Sequence, residues 1–144
     1  MYYFLDVDGV LNKYSDWKNP FSLDKTCVSS FLDLIKQDKN AFIVLTSTWR
    51  KGMDTNGSIS VDSPISRLTE AGIKVGDITP ITNKTRQEEI EYYIRRHNVG
   101  KYIVLDDDST LFPNKNRLNL YITDYRTGLT PKDVKTLLKS KAYN

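Results

Sequence analysis

The sequence is poor in cysteine, in histidine and in long apolar runs, and each scarcity excludes a class of protein. Of its 144 residues only Cys27 is a cysteine, so an internal disulfide cannot form, which fits a reducing compartment. No apolar run approaches the ~20 residues that a membrane span requires. The chain enters its first strand without a basic region and a long apolar segment, so we see no signal peptide. We therefore expect a cytoplasmic protein with no membrane segment.

The two scarce side chains are expected to be structural, and the charge balance is only weakly informative. Cys27 falls on the apolar face of a predicted helix, which favours burial over catalysis. His97, the one histidine, lies at a predicted helix end, where a surface position is expected. The net charge of +3 is compatible with an anionic partner, but it is too small to require a nucleic acid.

Apolar runs that alternate with amphipathic stretches predict the fold class. Strands alternating with helices indicate a doubly wound α/β fold, with a mainly parallel sheet of about five strands and helices on both faces. The length favours a single domain over residues 1–144. Strands are expected at residues 2–5, 41–45, 73–81, 102–105 and 118–122. Helices are expected at 23–36 behind Ser22 as cap, from Ser63-Pro64 to Gly72, from a capping box at Thr85 to about His97, and from Thr130-Pro131 onward.

The first predicted strand is followed by two carboxylates, those of Asp6 and Asp8, and Gly9 allows a tight turn after them. The carboxyl end of a buried strand is where open α/β sheets bind ligands. Two anions this close repel each other unless a cation neutralises them, and their hard oxygen ligands suit Mg²⁺. A plain acidic turn is the alternative. A calcium loop does not fit, because its glycine belongs at the sixth position and Gly9 stands at the fourth.

Two other predicted strands also end in polar residues that a phosphoryl-transfer site would use. The second strand is followed by Thr46 and Ser47, and the fourth by Asp106 and Asp107. In a parallel sheet these ends share one edge, so residues distant in the sequence converge. Alone, the acidic run at 106–108 is equally consistent with a solvated turn. Its coincidence with the first acidic pair favours a common site.

These residues resemble the motifs of the haloacid dehalogenase (HAD) superfamily of phosphotransferases, over roughly residues 2–108. Asp-x-Asp-Gly-x-Leu at 6–11 is similar to the first motif, and Asp106-Asp107 to the fourth. Thr46 and a basic residue near a helix start match the weaker second and third motifs. Three further details look closer still to the small domain of multifunctional RNA-repair proteins and of stand-alone phage and bacterial proteins. They are Ser/Thr-x-Trp-Arg ending at Arg50, Arg-x-Glu-Glu-Ile at 86–90, and Thr-Asp-x-x-x-Gly-Leu-Thr at 123–130.

The resemblance implies a Mg²⁺-dependent phosphatase with a HAD-like, Rossmannoid fold. Asp6 would be the nucleophile that forms an aspartyl-phosphate. Asp8 would protonate the leaving oxygen and later take a proton from water. Mg²⁺ would be held by Asp6, the main-chain carbonyl of Asp8, Asp106 and, directly or through water, Asp107.

The resemblance also implies residues that contact the transferring phosphate. Thr46 would hydrogen-bond a phosphoryl oxygen, and a cation would neutralise the transferring group. That cation is either Lys84, which precedes the helix cap, or Arg86, which stands in the Arg-x-Glu-Glu-Ile pattern. The sequence does not choose between them.

Ser47, Trp49 and Arg50 are the candidate substrate-binding residues. Arg50 would grip a phosphate bidentately, and Trp49 would stack on a base. The alternative is a tryptophan packed under the loop with the arginine beside it.

The gaps between the motifs predict an open site. Larger superfamily members carry a cap domain, for which the stretches 12–37 and 50–83 are too short. An uncapped site admits the end of a polymer, which favours an oligonucleotide end or a nucleotide over a small sugar phosphate. The alternatives are a phosphatase of a small metabolite and a catalytically idle binding module. A receiver domain phosphorylated on aspartate would need that residue on a middle strand, where 44–46 offers none.

Overall fold

The centre of the protein is a five-stranded, all-parallel sheet, seen in a computed structural model that describes residues 1–54 and 56–143. The spatial order β3-β2-β1-β4-β5 places β1 in the middle, paired with β2 on one side and with β4 on the other. The predicted α/β class and parallel sheet are confirmed. The strands are β1 (Tyr2–Leu5), β2 (Phe42–Leu45), β3 (Val75–Ile78), β4 (Tyr102–Asp106) and β5 (Leu120–Ile122).

Helices cover both faces of the sheet. Successive residues of a strand point to opposite faces, so the apolar residues of β1 contact helices on both sides. On one face Tyr3 meets Phe31 edge-on, with ring centroids 6.1 Å apart. On the other face Phe4 meets Tyr93 at 5.6 Å. The protein therefore has two apolar cores, one on each face of the sheet at β1. The helices are α1 (Lys25–Ile35), α2 (Ile65–Glu70), α3 (Arg86–Arg96) and α4 (Pro131–Leu138).

The first helix begins two residues later than its sequence predicts. Asp24 caps α1, and its Oδ1 accepts a hydrogen bond from the backbone N–H of Cys27 at 3.0 Å. Ser22, the predicted cap, instead donates its hydroxyl to the carbonyls of Asp16 and Asn19 in the preceding loop. A side chain committed to that loop cannot also cap a helix.

Two strands, β3 and β5, are shorter than predicted by two or more residues. β3 omits Ile73, whose N–H bonds back to the carbonyl of Leu68 in α2 and closes that helix. The strand ends before Pro80, which has no N–H to extend the ladder. β5 omits Leu118, whose N–H bonds to the carbonyl of Lys115 in a 3₁₀ turn. In each case a local turn satisfies the backbone group that the ladder would have used.

The connections from β1 to α1 and from β2 to α2 carry only small elements in their described residues. The first contains a 3₁₀ turn at Tyr14–Asp16. The second contains a 3₁₀ turn at Thr48–Arg50 and an isolated antiparallel bridge between Met53 and Ile59. Within the described chain, no helix is both long and apolar enough to cross a membrane, the longest having 11 residues.

The cysteine and the histidine occupy the structural positions expected of them. Cys27 is buried in α1, and its Sγ contacts the carbonyl oxygen of Thr127 at 3.4 Å. Burial raises the pKa of the Cys27 thiol to about 12, so it stays protonated at neutral pH. His97 is exposed at the end of α3 and stacks on Tyr93 at 3.8 Å.

Candidate active site

Three carboxylates meet where β1 and β4 end. Asp6 follows β1, and its N–H donates to the carbonyl of Leu105 at 3.0 Å, which ties it to β4. Asp106 is the last residue of β4, and Asp107 follows it. One carboxylate oxygen from each aspartate lies within 4.8 Å of the other two. The parallel sheet therefore brings together the ends of two adjacent strands, as the sequence predicts.

A single arginine neutralises part of this charge. Nη1 of Arg86 lies 3.1 Å from Oδ1 of Asp6 and 2.9 Å from Oδ2 of Asp106. Arg86 is the first residue of α3, and the hydroxyl of Thr85 caps that helix by accepting from the N–H of Glu88. Lys84 is exposed. Of the two candidate cations, the structure places Arg86 at the carboxylates.

The negative charge of the three clustered carboxylates leaves a place for a metal ion. Burial, with the negative charge of Asp106, raises the pKa of Asp6 well above its usual range, and Arg86 lowers it only in part. Burial also raises the pKa of Asp107 to about 6. Three carboxylates facing one guanidinium leave an excess of negative charge. An ion such as Mg²⁺, with its preference for carboxylate oxygens, fits this donor set.

An unpartnered hydroxyl lies beside the cluster. Thr46 follows β2, and its N–H bonds to the carbonyl of Leu5, directly before Asp6. The residue is fully buried, and its Oγ1 has no hydrogen-bond partner among the described residues. A buried polar group without a partner is costly. A phosphoryl oxygen at this position would satisfy it.

Asp8 lies apart from the three clustered carboxylates. Its Oδ1 accepts from the side-chain amide of Asn12 at 2.9 Å and from the indole N–H of Trp49 at 3.3 Å. The two donors hold the carboxyl group of Asp8, which lines a cavity of ≈ 330 Å³. The acidic pair of the sequence is thus divided in space, which permits two separate chemical roles.

Asn12 is a site residue that sequence analysis missed. It is buried, and its Oδ1 accepts from the N–H of Gly9 and from the indole N–H of Trp17, both at 2.9 Å. Its amide nitrogen donates to Asp8 and to the carbonyl of Ser22. The available signal was a polar residue directly after the apolar pair at 10–11, following a glycine turn.

The residues after β5 form hydrogen bonds to the loop that contains Asp6 and Asp8. The hydroxyl of Thr123 donates to the carbonyl of Gly9 at 2.7 Å, and the N–H of Leu129 donates to the carbonyl of Val10 at 2.8 Å. Gly128 has a φ of +64°, and a Cβ there would lie 2.7 Å from the carbonyl oxygen of Asn12. The 123–130 pattern thus holds the Asp6–Asn12 loop in place.

Gly9 is required by both its backbone conformation and its surroundings, so we expect Gly9→Ala to destabilise the protein by more than about 1–3 kcal/mol. Its φ is +86°, and an added Cβ would lie 2.7 Å from the Cβ of Asp107. Urea denaturation measures the loss. Gly57→Ala is the matched control, because Gly57 has a φ of +79° with no atom within 4 Å of an added Cβ. Equal losses in the two variants would show that contact with Asp107 is unimportant.

The predicted substrate-binding residues lie inside the protein. Arg50 is 8% exposed, and its guanidinium contacts Glu89 Oε1 at 3.2 Å and Thr79 Oγ1 at 2.8 Å. Ser47 caps the 3₁₀ turn by accepting from the N–H of Trp49 at 3.0 Å. These contacts favour the second interpretation of the sequence, a tryptophan packed under the loop with an arginine beside it.

Two concave regions lie near this end of the sheet. The ≈ 330 Å³ cavity adjoins Asp8 and is lined in part by Trp17, Phe21 and Trp49. A larger groove of ≈ 620 Å³ runs along α3 past Tyr92, and the clustered carboxylates line neither region. We place the chemistry at the smaller cavity, because only that one includes a member of the acidic pair.

The sheet and its acidic edge define the class of protein. A five-stranded parallel α/β sheet with paired carboxylates after its two central strands is the HAD-like, Rossmannoid arrangement. The chain belongs to the family described as the HAD domain in Swiss Army Knife RNA repair proteins, whose model matches residues 2–134. The suspected resemblance is confirmed, and it extends through the 123–130 pattern. The family implies a phosphohydrolase-type function. No curated protein and no solved structure is significantly similar to the chain.

Proposed function

We propose that this protein is a Mg²⁺-dependent phosphomonoester hydrolase that acts through an aspartyl-phosphate. One observation carries the proposal: the Asp6–Asp106–Asp107 cluster is paired with the guanidinium of Arg86, and the unpartnered hydroxyl of Thr46 belongs to the residue whose N–H bonds to Leu5, directly before Asp6. A phosphoryl group at this position would meet a nucleophile, a cation and a hydrogen-bond donor together.

In the first step the carboxylate of Asp6 attacks phosphorus, and a bond forms between them. The bond from phosphorus to the leaving oxygen breaks, and that oxygen takes a proton from Asp8. Asp8 suits this role because Asn12 and Trp49 hold its carboxyl group at the cavity, away from the nucleophile. The leaving group therefore departs into the cavity beside Asp8.

In the second step water attacks the phosphorus of the aspartyl-phosphate and gives a proton to Asp8. The bond between phosphorus and the Asp6 oxygen breaks, so inorganic phosphate leaves and both carboxyl groups return to their initial state. Arg86 and Thr46 contact the phosphoryl oxygens throughout, and their fixed positions favour the charge that develops on them.

Asp6, Asp106 and Asp107 would hold Mg²⁺, with the main-chain carbonyl of Asp8 as a further proposed ligand. When bound, the ion supplies positive charge that screens the carboxylates from the phosphate and stabilises the transition state. Arg86 alone supplies too little charge for three buried or half-buried carboxylates.

For the substrate we propose a phosphate on an oligonucleotide end or a nucleotide. The segments from β1 to α1 and from β2 to α2 contain no large element in their described residues, which supports an uncapped, open site. The net charge of +3 is compatible with such an anion. The family is described by its occurrence in RNA repair proteins, which is consistent with this choice. A cytoplasmic location and a single domain remain predictions.

Two alternatives remain for the same fold. A catalytically idle binding module is disfavoured, because Asp6, Asp8, Asp106 and Asp107 are all present and the first, third and fourth converge. A phosphatase of a small metabolite would use the same residues. It differs from our proposal only in what occupies the cavity.

A substrate screen tests the proposed reaction. The protein is incubated with Mg²⁺ and with mononucleotides, terminally phosphorylated oligonucleotides or sugar phosphates, and the release of inorganic phosphate is measured. We expect release that EDTA abolishes and that nucleic acid substrates support best. Failure to release phosphate from every substrate would refute a hydrolase, whereas turnover of sugar phosphates alone would select the metabolite alternative.

Magnesium binding is expected to raise the free energy of unfolding by about 2.7 kcal/mol at a hundredfold excess over its Kd. Asp107→Asn should raise the metal-free stability, because it relieves repulsion within the cluster. Asp106 also accepts from Arg86 and from the N–H of Asp108, so Asp106→Asn brings no such relief.

Thermal denaturation with increasing Mg²⁺ measures both effects. Asp106→Asn should weaken Mg²⁺ binding more than Asp107→Asn, because Asp106 is fully buried at the strand end. The opposite order of affinities would overturn this assignment.

A further inference from the structure

An exposed cluster of three aromatic side chains lies next to Asp8, and the reaction proposed above does not use it. We call it the aromatic patch; it consists of Tyr14, Trp17 and Tyr125. Tyr14 and Trp17 lie 5.3 Å apart, Tyr14 and Tyr125 5.9 Å, and Trp17 and Tyr125 6.1 Å between ring centroids. Their exposed fractions are 63%, 40% and 45% in the order named. A contiguous exposed apolar patch is a feature of interaction surfaces, whereas single exposed apolar residues are ordinary.

The patch is continuous with the cavity that receives the leaving group. Trp17 belongs to both, and Phe21 and Trp49 line the same cavity. Phe21 is 39% exposed and packs edge-on against Trp49 at 5.2 Å. Its φ of 60° is uncommon for a bulky residue and costs about 1 kcal/mol or more. The cavity walls are therefore aromatic where the leaving group would lie.

A chain of hydrogen bonds fixes the patch relative to the acid. The indole N–H of Trp17 donates to Oδ1 of Asn12, and the amide of Asn12 donates to Oδ1 of Asp8, both at 2.9 Å. The backbone N–H of Tyr14 donates to the carbonyl of Tyr125, which holds the two loops of the patch together. The aromatic rings thus have a fixed position relative to Asp8, which would protonate the leaving-group oxygen of the substrate.

We propose that the cavity and the aromatic patch form a binding site for unpaired nucleobases of the leaving group. This inference rests on the proposed hydrolase function. A cavity of ≈ 330 Å³ is near the lower limit for small ligands, about 300 Å³, which suits one nucleoside. Outside this cavity, the rings of Tyr14 and Tyr125 offer a surface on which a second base would stack. The site therefore fits a single-stranded end with at least two bases better than a mononucleotide or a duplex.

Fluorescence measures binding without turnover. Asp6→Asn protein is titrated in EDTA with a terminally phosphorylated dinucleotide and with its abasic analogue. Trp17 is 40% exposed and Trp49 only 1% exposed, so quenching by a stacked base reports mainly on Trp17. We expect quenching by the dinucleotide, weaker quenching by a mononucleotide, and none by the abasic analogue. Equal responses to dinucleotide and abasic analogue would overturn the proposal.

Kinetics then locate the site on the protein. Wild type should hydrolyse the dinucleotide with a kcat/KM at least about tenfold above that of the abasic analogue, because base stacking on aromatic side chains contributes this much. The double variant Tyr14→Ala, Tyr125→Ala should lose most of this preference through KM and hydrolyse glycerol phosphate as wild type does. Tyr92→Ala is the matched control, since Tyr92 is 51% exposed and lies in the separate groove along α3.

Other outcomes separate the two proposals. Hydrolysis without any preference for bases would overturn the nucleobase site and leave the hydrolase standing. A preference lost in Tyr92→Ala but kept in the double variant would assign base binding to the groove along α3 instead. If no phosphomonoester is hydrolysed, the hydrolase proposal fails, and the fluorescence titration still decides whether bases bind. Should the double variant not fold, Tyr125→Ala alone provides the comparison.

Discussion

Replacing Asp6 with asparagine is expected to lower kcat by more than about 10³-fold and to leave the fold intact. The amide has the size of the carboxylate, but it is a poor nucleophile, so no aspartyl-phosphate forms. Because Asp6 lies in an over-charged cluster with a raised pKa, removing its charge should not destabilise the metal-free protein. Phosphate release under single-turnover conditions and a urea denaturation curve measure the two effects.

The matched control for this experiment is Asp108→Asn. Asp108 is two residues from Asp106 and caps a 3₁₀ turn by accepting from the N–H of Thr110, a role that asparagine performs equally well. Its carboxylate is not one of the three that converge. Its kcat should remain close to that of wild type. A kcat of Asp6→Asn within tenfold of the wild-type value would overturn the assignment of Asp6 as nucleophile.

Arg86→Ala is expected to lower kcat by about 10²- to 10³-fold and metal-free stability by about 3 kcal/mol. The variant removes the ion-pair partner of two carboxylates, of which Asp106 is fully buried. An uncompensated buried charge is costly. Mg²⁺ should restore much of the stability, because the ion brings positive charge to the same oxygens, but it should not restore activity. Urea denaturation with and without Mg²⁺, together with steady-state kinetics, tests this.

Lys84→Ala distinguishes the two cations that the sequence left open. Lys84 is exposed, so its removal should change stability by less than about 0.5 kcal/mol and leave kcat near that of wild type. Arg86→Lys should retain part of the stability, because a point charge replaces the guanidinium but cannot reproduce its geometry. If Lys84→Ala were the variant that lost activity, Lys84 would contact the transferring phosphate in place of Arg86.

Much of the site was predictable because it follows from strand ends. The apolar runs before Asp6, Thr46 and Asp106 identify buried parallel strands, and the ends of such strands share one edge of the sheet. No side-chain detail is needed for that inference. Strand order and register account directly for the clustering of Asp6, Asp106 and Asp107 and for the position of Thr46 beside Leu5.

The aromatic and arginine residues were harder to assign, because their roles depend on packing. Trp49 and Arg50 follow the same strand as Thr46, yet a 3₁₀ turn carries them under the loop, where Arg50 pairs with Glu89. Nothing in the local sequence indicates that partner. Tyr14 and Trp17 stand in a polar and aromatic stretch after the first strand, and Tyr125 joins them from a distant segment.

The sequence by itself determined the alternation of strands and helices, the acidic strand ends and the resemblance that the family match confirms. These features are local, because the spacing of apolar residues, the turn residues and the motifs can each be recognised within a short stretch of chain. Only the tertiary structure decided that Arg86 rather than Lys84 contacts the carboxylates and that Asn12 holds Asp8. These pairings join side chains on different elements, and their distances depend on how helices and loops pack on the sheet.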